Sequence, residues 1–158
     1  GLELAKRAEA FGMTISYYNR SERGDLSYPY FPNAHALAEA CDVLALTCPG
    51  GEATMKLVDG DVLAALGAKG YLINIARGSV VDEAALVKAL SENTIAGAGL
   101  DVFADEPNAP EALFPFDHVV LQPHQASATV ETRTAMGDLT IKNLTAHFAG
   151  QPLPNQVA

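Results

Sequence analysis

Apolar residues recur at helical spacing from the start of the chain, at Leu2, Ala5, Ala8 and Phe11, and Gly12 follows as a stop. The apolar run 13–18 (MTISYY) then predicts a short buried strand, ended by the polar stretch 19–25. Residues 28–33 read as a Pro-rich loop, 35–41 as a short helix and 43–47 (VLALT) as a second apolar strand, broken by Pro49, Gly50 and Gly51. A helix is predicted over 59–66, a strand over 71–75 (YLINI), a loop over 76–81 and a helix over 82–90. Asp82 and Glu83 in the first turn of that helix suit its dipole. A Gly-punctuated strand at 95–102, a turn at 105–110, a short strand at 119–121 and one long helix at 128–148 with Gly150 behind it complete the pattern.

Strands thus alternate with helices, and the strands are continuous apolar runs rather than apolar–polar alternations. That is the pattern of an α/β protein with a doubly wound parallel sheet covered on both faces. Such sheets bind ligands beyond the carboxyl ends of their strands, so the residues just after each strand are where chemistry is expected.

Composition narrows the possibilities. The chain has 158 residues, room for one ordinary domain, and is 49% apolar and 18% charged, which is globular. Its formal net charge of −9 makes nucleic acid and anionic membranes poor partners. No run approaches the roughly 18 apolar residues of a membrane span. Residues 1–13 are amphipathic, carry Glu3, Lys6, Arg7 and Glu9, and do not read as a secretory leader. Two cysteines, Cys41 and Cys48, make neither a disulfide scaffold nor a zinc site and read as reduced thiols in a cytoplasmic protein, with no metal site expected.

The strand ends carry a consistent set of side chains. After the first strand come Asn19, Arg20, Ser21, Glu22 and Arg23. In a dinucleotide fold an acid directly after this strand would bond the ribose 2′-hydroxyl and repel a 2′-phosphate. Here an amide, two guanidiniums and a hydroxyl fit a phosphate instead, the alternative being a solvated polar loop. Gly1 stands 18 residues before Asn19, close to the spacing between the last glycine of G-x-G-x-x-G and the ribose-binding position. The next strands end in Thr47-Cys48-Pro49-Gly50-Gly51, in Asn74-Ile75-Ala76-Arg77-Gly78, in Asp101 to Glu106, and in Gln122-Pro123-His124-Gln125-Ala126. An Arg, a Glu and a His therefore each follow a different strand.

The runs Asn74-Ile75-Ala76-Arg77-Gly78-Ser79-Val80-Val81-Asp82-Glu83, Gly99-Leu100-Asp101-Val102-Phe103-Ala104-Asp105-Glu106-Pro107 and Gln122-Pro123-His124 resemble the nucleotide-binding domain of the D-isomer-specific 2-hydroxyacid dehydrogenases. The likeness is greatest to NADP-dependent glyoxylate/hydroxypyruvate and hydroxyphenylpyruvate reductases. It implies a Rossmann-like NAD(P)-binding domain acting on a small 2-keto acid, with NADP as cofactor and NAD as the alternative. By this resemblance Arg77 binds the substrate carboxylate and keto oxygen, His124 is the general acid/base, and Glu106 pairs with His124. The cofactor would be lined by Gly1, Asn19, Arg20, Ser21, Arg23, Thr47, Cys48, Pro49, Ile75, Ala76, Asp101 and Ala126. The family commonly dimerises through this domain, so a homodimer is expected. Two positions depart from the family pattern: Gly50-Gly51 replaces a Leu-Thr or similar pair, and Gln125 replaces a small apolar residue.

The resemblance also predicts an organisation. Residues 1–150 would be a dinucleotide-binding domain lacking its first strand and first two phosphate-loop glycines, and 151–158 a tail returning to an absent substrate domain. In the order 3-2-1-4-5-6 the missing strand is central, so this span alone is expected to bind dinucleotide poorly and to be inactive. Two other readings stay open: an NAD-dependent relative such as a phosphoglycerate dehydrogenase, and a non-catalytic, corepressor-like dinucleotide-binding module. Met136, Leu139, Leu144 and Phe148 of the last helix read as core and interface, and His35, His118 and His147 as structural.

Overall fold

In the computed structural model, which describes residues 1–156, the chain forms two compact units, Gly1–Pro123 and the residues from His124 onward. Val157 and Ala158 at the end of the expected tail lie outside the described residues.

The first unit holds α1 (Leu2–Ala10), β1 (Tyr17–Tyr18), β2 (Tyr30–Phe31), α2 (Ala34–Glu39), β3 (Val43–Leu46), α3 (Gly60–Leu66), β4 (Tyr71–Asn74), α4 (Glu83–Ser91), β5 (Gly97–Leu100) and β6 (Val119–Leu121). All strand pairs are parallel. They form a four-stranded sheet in the order β3-β4-β5-β6 and a separate two-stranded sheet of β1 and β2, with α2 packing against β1, β2 and β3. The second unit contains α5 (Val130–Phe148).

Local chemistry explains the helix limits. Asn33, Asp59, Asp82 and Thr129 cap α2, α3, α4 and α5, each accepting a hydrogen bond from a backbone N–H of the first turn. Asp59 and Asp82 therefore stand one residue before the helices they were expected to open. Gly12 and Gly150, at φ +75° and +66°, follow the ends of α1 and α5 in the left-handed region that suits glycine.

The strands are shorter than their apolar runs. The stretch 13–18 is hydrogen-bonded as a strand only at Tyr17 and Tyr18, whose partners are Tyr30 and Phe31, so the Pro-rich loop 28–33 contains a strand. The loop 76–81 contains a single 3-10 turn, Gly78–Val80.

The core lies on the four-stranded sheet, where Leu44, Leu72 and Leu100 meet Leu63 of α3 and Leu86 and Leu90 of α4. The expectation that Met136, Leu139, Leu144 and Phe148 belong to the core is corrected. All four are exposed, Phe148 by 85%, because α5 buries none of its residues. α1 likewise buries none of its residues, and Phe11 just after it is 87% exposed.

Candidate active site

Strand register places the candidate residues in one row. Leu46 pairs with Asn74, Asn74 with Leu100, and Leu100 with Leu121. Thr47, Ile75, Asp101 and Gln122 are therefore the first residues beyond four aligned carboxyl ends. Two further bonds continue the ladder: Asp101 N–H donates to Asn74 O at 3.0 Å, and Gln122 N–H to Leu100 O at 2.8 Å.

Arg77 rests on a rigid turn. Asn74 is only 1% exposed. Its Nδ2 donates to Arg77 O at 3.0 Å, and its Oδ1 accepts from Ala76 N–H at 3.0 Å. One buried amide thus holds the main chain on both sides of the bend, leaving the Arg77 side chain exposed while Ala76 is buried. The guanidinium donates through Nη1 to Ala76 O at 2.6 Å.

The turn is clamped to the Glu106 loop. A Cβ on Gly78 would stand 1.9 Å from the carbonyl carbon of Phe103, so only glycine permits this backbone contact. Glu83 of α4 reaches the same place, its Oε1 accepting from Ala104 N–H at 2.8 Å. Glu106 Oε1 accepts from Phe103 N–H at 3.1 Å. The loops bearing Arg77 and Glu106 are therefore held against each other by main-chain contact and the Glu83 carboxylate, while Glu106 braces its own loop. Asp101 is buried at the head of the second loop.

A second close approach joins the start of α1 to the end of β3. A Cβ on Gly1 would lie 3.1 Å from Thr47 Oγ1. This brings together two segments that the sequence separates by a helix and two strands. Thr47 and Pro49 are exposed and Cys48 half-buried, and partial burial pushes the Cys48 thiol up, so it stays protonated at neutral pH.

The loop 19–23 is exposed throughout. Arg20 has no hydrogen bond or ion pair among the described residues. Arg23 forks onto Asp25, which lifts the guanidinium above its ordinary pKa and holds the carboxyl below the usual range. Tyr17 and Tyr30, which the apolar pattern marks only as strand and loop residues, bond to this loop through their hydroxyls.

His124 and Ala126 belong to the second unit. His124 adopts φ +51°, an uncommon conformation for a residue with a side chain. Ala126 follows in a turn closed by Ala128 N–H donating to Gln125 O at 2.9 Å. Asn74, Gly78 and Glu83 lie inside the runs already singled out around Arg77. Gly78 reads from the sequence as a point of close backbone approach, which its contact with Phe103 bears out, whereas the hydrogen bonds of Asn74 and Glu83 are seen only in the fold.

A parallel sheet whose carboxyl ends carry glycine-bared backbone, an anchored arginine and a carboxylate-bearing loop has the architecture of a dinucleotide-fold domain. The chain belongs to the D-isomer specific 2-hydroxyacid dehydrogenases: the pattern of their NAD binding domain matches residues 1–126. A glyoxylate/hydroxypyruvate reductase A of Arabidopsis thaliana is 53% identical over 153 residues, which are 97% of this chain and 49% of that protein. A 2-ketogluconate reductase of Gluconobacter oxydans is 52% identical over the same shares of the two chains. Among solved structures, the NADPH-dependent glyoxylate/hydroxypyruvate reductase of Sinorhizobium meliloti, in complex with NADP and malonate, superposes with a TM-score of 0.98 at 54% identity. It covers all of this chain and 50% of that one. The chain spans about half the length of the curated relatives it matches.

Proposed function

We propose that this domain serves an NADPH-preferring reductase of small 2-keto acids of the glyoxylate/hydroxypyruvate type, yielding the D-2-hydroxy acid. The observation that carries the reading is Arg77, anchored by Asn74 at the carboxyl edge and clamped to the loop that bears Glu106. The similarity to an NADPH-dependent reductase of these acids supports it over an NAD-dependent relative, and the similarity to relatives named as reductases supports it over a binding module without turnover.

The residues present fit a dinucleotide. The bare Cα of Gly1 at the start of a nine-residue helix, set against Thr47, suits close backbone approach of a pyrophosphate. Asn19, Arg20, Ser21 and Arg23 would take the 2′-phosphate. Thr47, Cys48, Pro49, Ile75, Ala76, Asp101 and Ala126 would line the remainder. When bound, the nicotinamide supplies the hydride.

The chain's own groups would do the rest. Arg77 matches a carboxylate with its fork and polarises the neighbouring keto oxygen. His124 delivers a proton to the developing alkoxide and takes it back in the oxidation direction. Glu106 favours its imidazolium and fixes the ring. We further read residues 1–150 as the dinucleotide-binding part, with 151–158 returning to a substrate domain. The protein is read as a cytoplasmic homodimer. Among the described residues no helix is long and apolar enough to cross a membrane, and the exposed apolar residues of α5 offer an interface.

The test is NADPH and NADH oxidation by the full-length protein with glyoxylate, hydroxypyruvate and 4-hydroxyphenylpyruvate. Faster turnover with NADPH on at least one of them is expected. No oxidation with any 2-keto acid would favour a binding module, and equal rates with NADH would end the NADPH preference.

A further inference from the structure

The loop 19–25 is pinned where it starts and near where it ends. Tyr17 and Tyr30 are paired across β1 and β2, with ring centroids 5.4 Å apart. The Tyr30 hydroxyl donates to Asn19 O at 3.3 Å. The Tyr17 hydroxyl accepts from Arg23 N–H at 2.9 Å and donates to Arg23 O at 3.3 Å. The main chain of Asn19 and of Arg23 is thus held, while the side chains between them face solvent.

Within this frame Arg23 is already committed to an anion. Its Nε donates to Asp25 Oδ1 at 3.0 Å and its Nη2 to Asp25 Oδ2, a bidentate pair. A bidentate fork is the arrangement by which arginine holds a carboxylate or a phosphate, and the same two donors cannot serve both fully.

We propose that Asp25 is a specificity-determining residue of the cofactor loop, an internal anion that occupies the Arg23 fork and must be displaced by a ribose 2′-phosphate. This rests on the reading that the loop receives that phosphate. Both partners are exposed, the side chains by 42% and 64%, so the pair is weak enough to exchange. A phosphate monoester carries more charge than a carboxylate and offers three acceptor oxygens, so it can win the fork. Because the tyrosine hydroxyls hold the Arg23 main chain, the exchange needs only side-chain rotation. A dinucleotide without the 2′-phosphate has no claim on the fork and is indifferent to Asp25. Asp25 therefore tempers the preference for NADPH rather than creating it, and its removal strengthens that preference.

The test is calorimetric Kd measurement for NADPH, NADH and 2′,5′-ADP on the full-length protein, its D25N and R23A variants and the double variant. Asp25→Asn is expected to tighten NADPH and 2′,5′-ADP about two- to fivefold and leave NADH unchanged. In the Arg23→Ala background the same change should lose most of its effect. An unchanged or weaker NADPH Kd in D25N, or equal tightening of NADH, overturns the role of Asp25 while leaving the phosphate reading intact if R23A still weakens NADPH selectively. If R23A leaves NADPH unaffected, the phosphate reading of Arg23 falls, and the proposal with it.

Discussion

Gly50 lies against the aliphatic stem of Arg77: a Cβ built on the glycine would stand 2.7 Å from Arg77 Cγ and 3.1 Å from its Cβ. Gly50 has no left-handed φ, so space and not backbone conformation excludes a side chain here. One of the positions at which the chain departs from the pattern it resembles thus lies directly against its arginine. Gly50→Ala is expected to push the Arg77 stem aside and raise KM for the 2-keto acid by about tenfold or more, since small misplacements of a positioning group are costly. Steady-state kinetics with glyoxylate and hydroxypyruvate measure this, and an unchanged KM would show that the stem yields freely.

Asn74 makes two of the bonds that shape the Arg77 turn. Asn74→Ala leaves the buried Ala76 N–H without its partner and takes one of two donors from the Arg77 carbonyl, which keeps its 3.1 Å bond from Val80 N–H. The expected cost is about 1–3 kcal/mol in urea unfolding, with a higher KM. Loss of stability without a kinetic effect would reduce Asn74 to a core residue.

Asp82 caps α4, accepting from Ala85 N–H, and also pairs with Lys56 at 2.9 Å. The Lys56 ammonium, followed by the backbone bond, holds its carboxyl below the usual range. A carboxyl with a depressed folded pKa contributes stability above its unfolded pKa and loses it as pH falls through the folded one. Asp82→Ala should therefore cost about 1 kcal/mol near neutrality. The gap to wild type should narrow as pH drops below the ordinary aspartate value of about 3.9. Urea midpoints across that range read it directly, and a pH-independent gap would rule out the charge as its source.

His124→Ala is expected to abolish turnover by the full-length protein while leaving the NADPH Kd nearly unchanged. A parallel loss of NADPH binding would mark this residue, held at φ +51°, as a shaper of the chain rather than a proton donor.

The helices of this protein were legible to within one or two residues because their limits are local. Asn33, Asp59, Asp82 and Thr129 stop the chain within reach of their own first turns, and Gly12 and Gly150 end it by a conformation they alone adopt cheaply. The candidate residues Arg77, Glu106 and His124 were legible for a related reason, since each follows a short apolar run that a parallel sheet turns into a carboxyl edge. Strand extent was not. Residues 13–16 look as apolar as the Tyr17–Tyr18 pair, but a residue becomes strand only where another backbone meets it, and that partner came from the Pro-rich stretch around Tyr30.

By itself, then, the sequence determined the alternation of elements, the parallel sheet and the residues offered at its edge, because propensity, capping and apolar periodicity act over a few neighbouring residues. Only the tertiary structure decided that Gly50 lies against Arg77, that Gly78 meets Phe103, and that Arg23 is already held by Asp25 between two tyrosine hydroxyls. The glycine contacts and the tyrosine frame depend on how closely separate segments of backbone approach. Even the short-range pair of Arg23 and Asp25 depends on the geometry the folded loop gives its side chains.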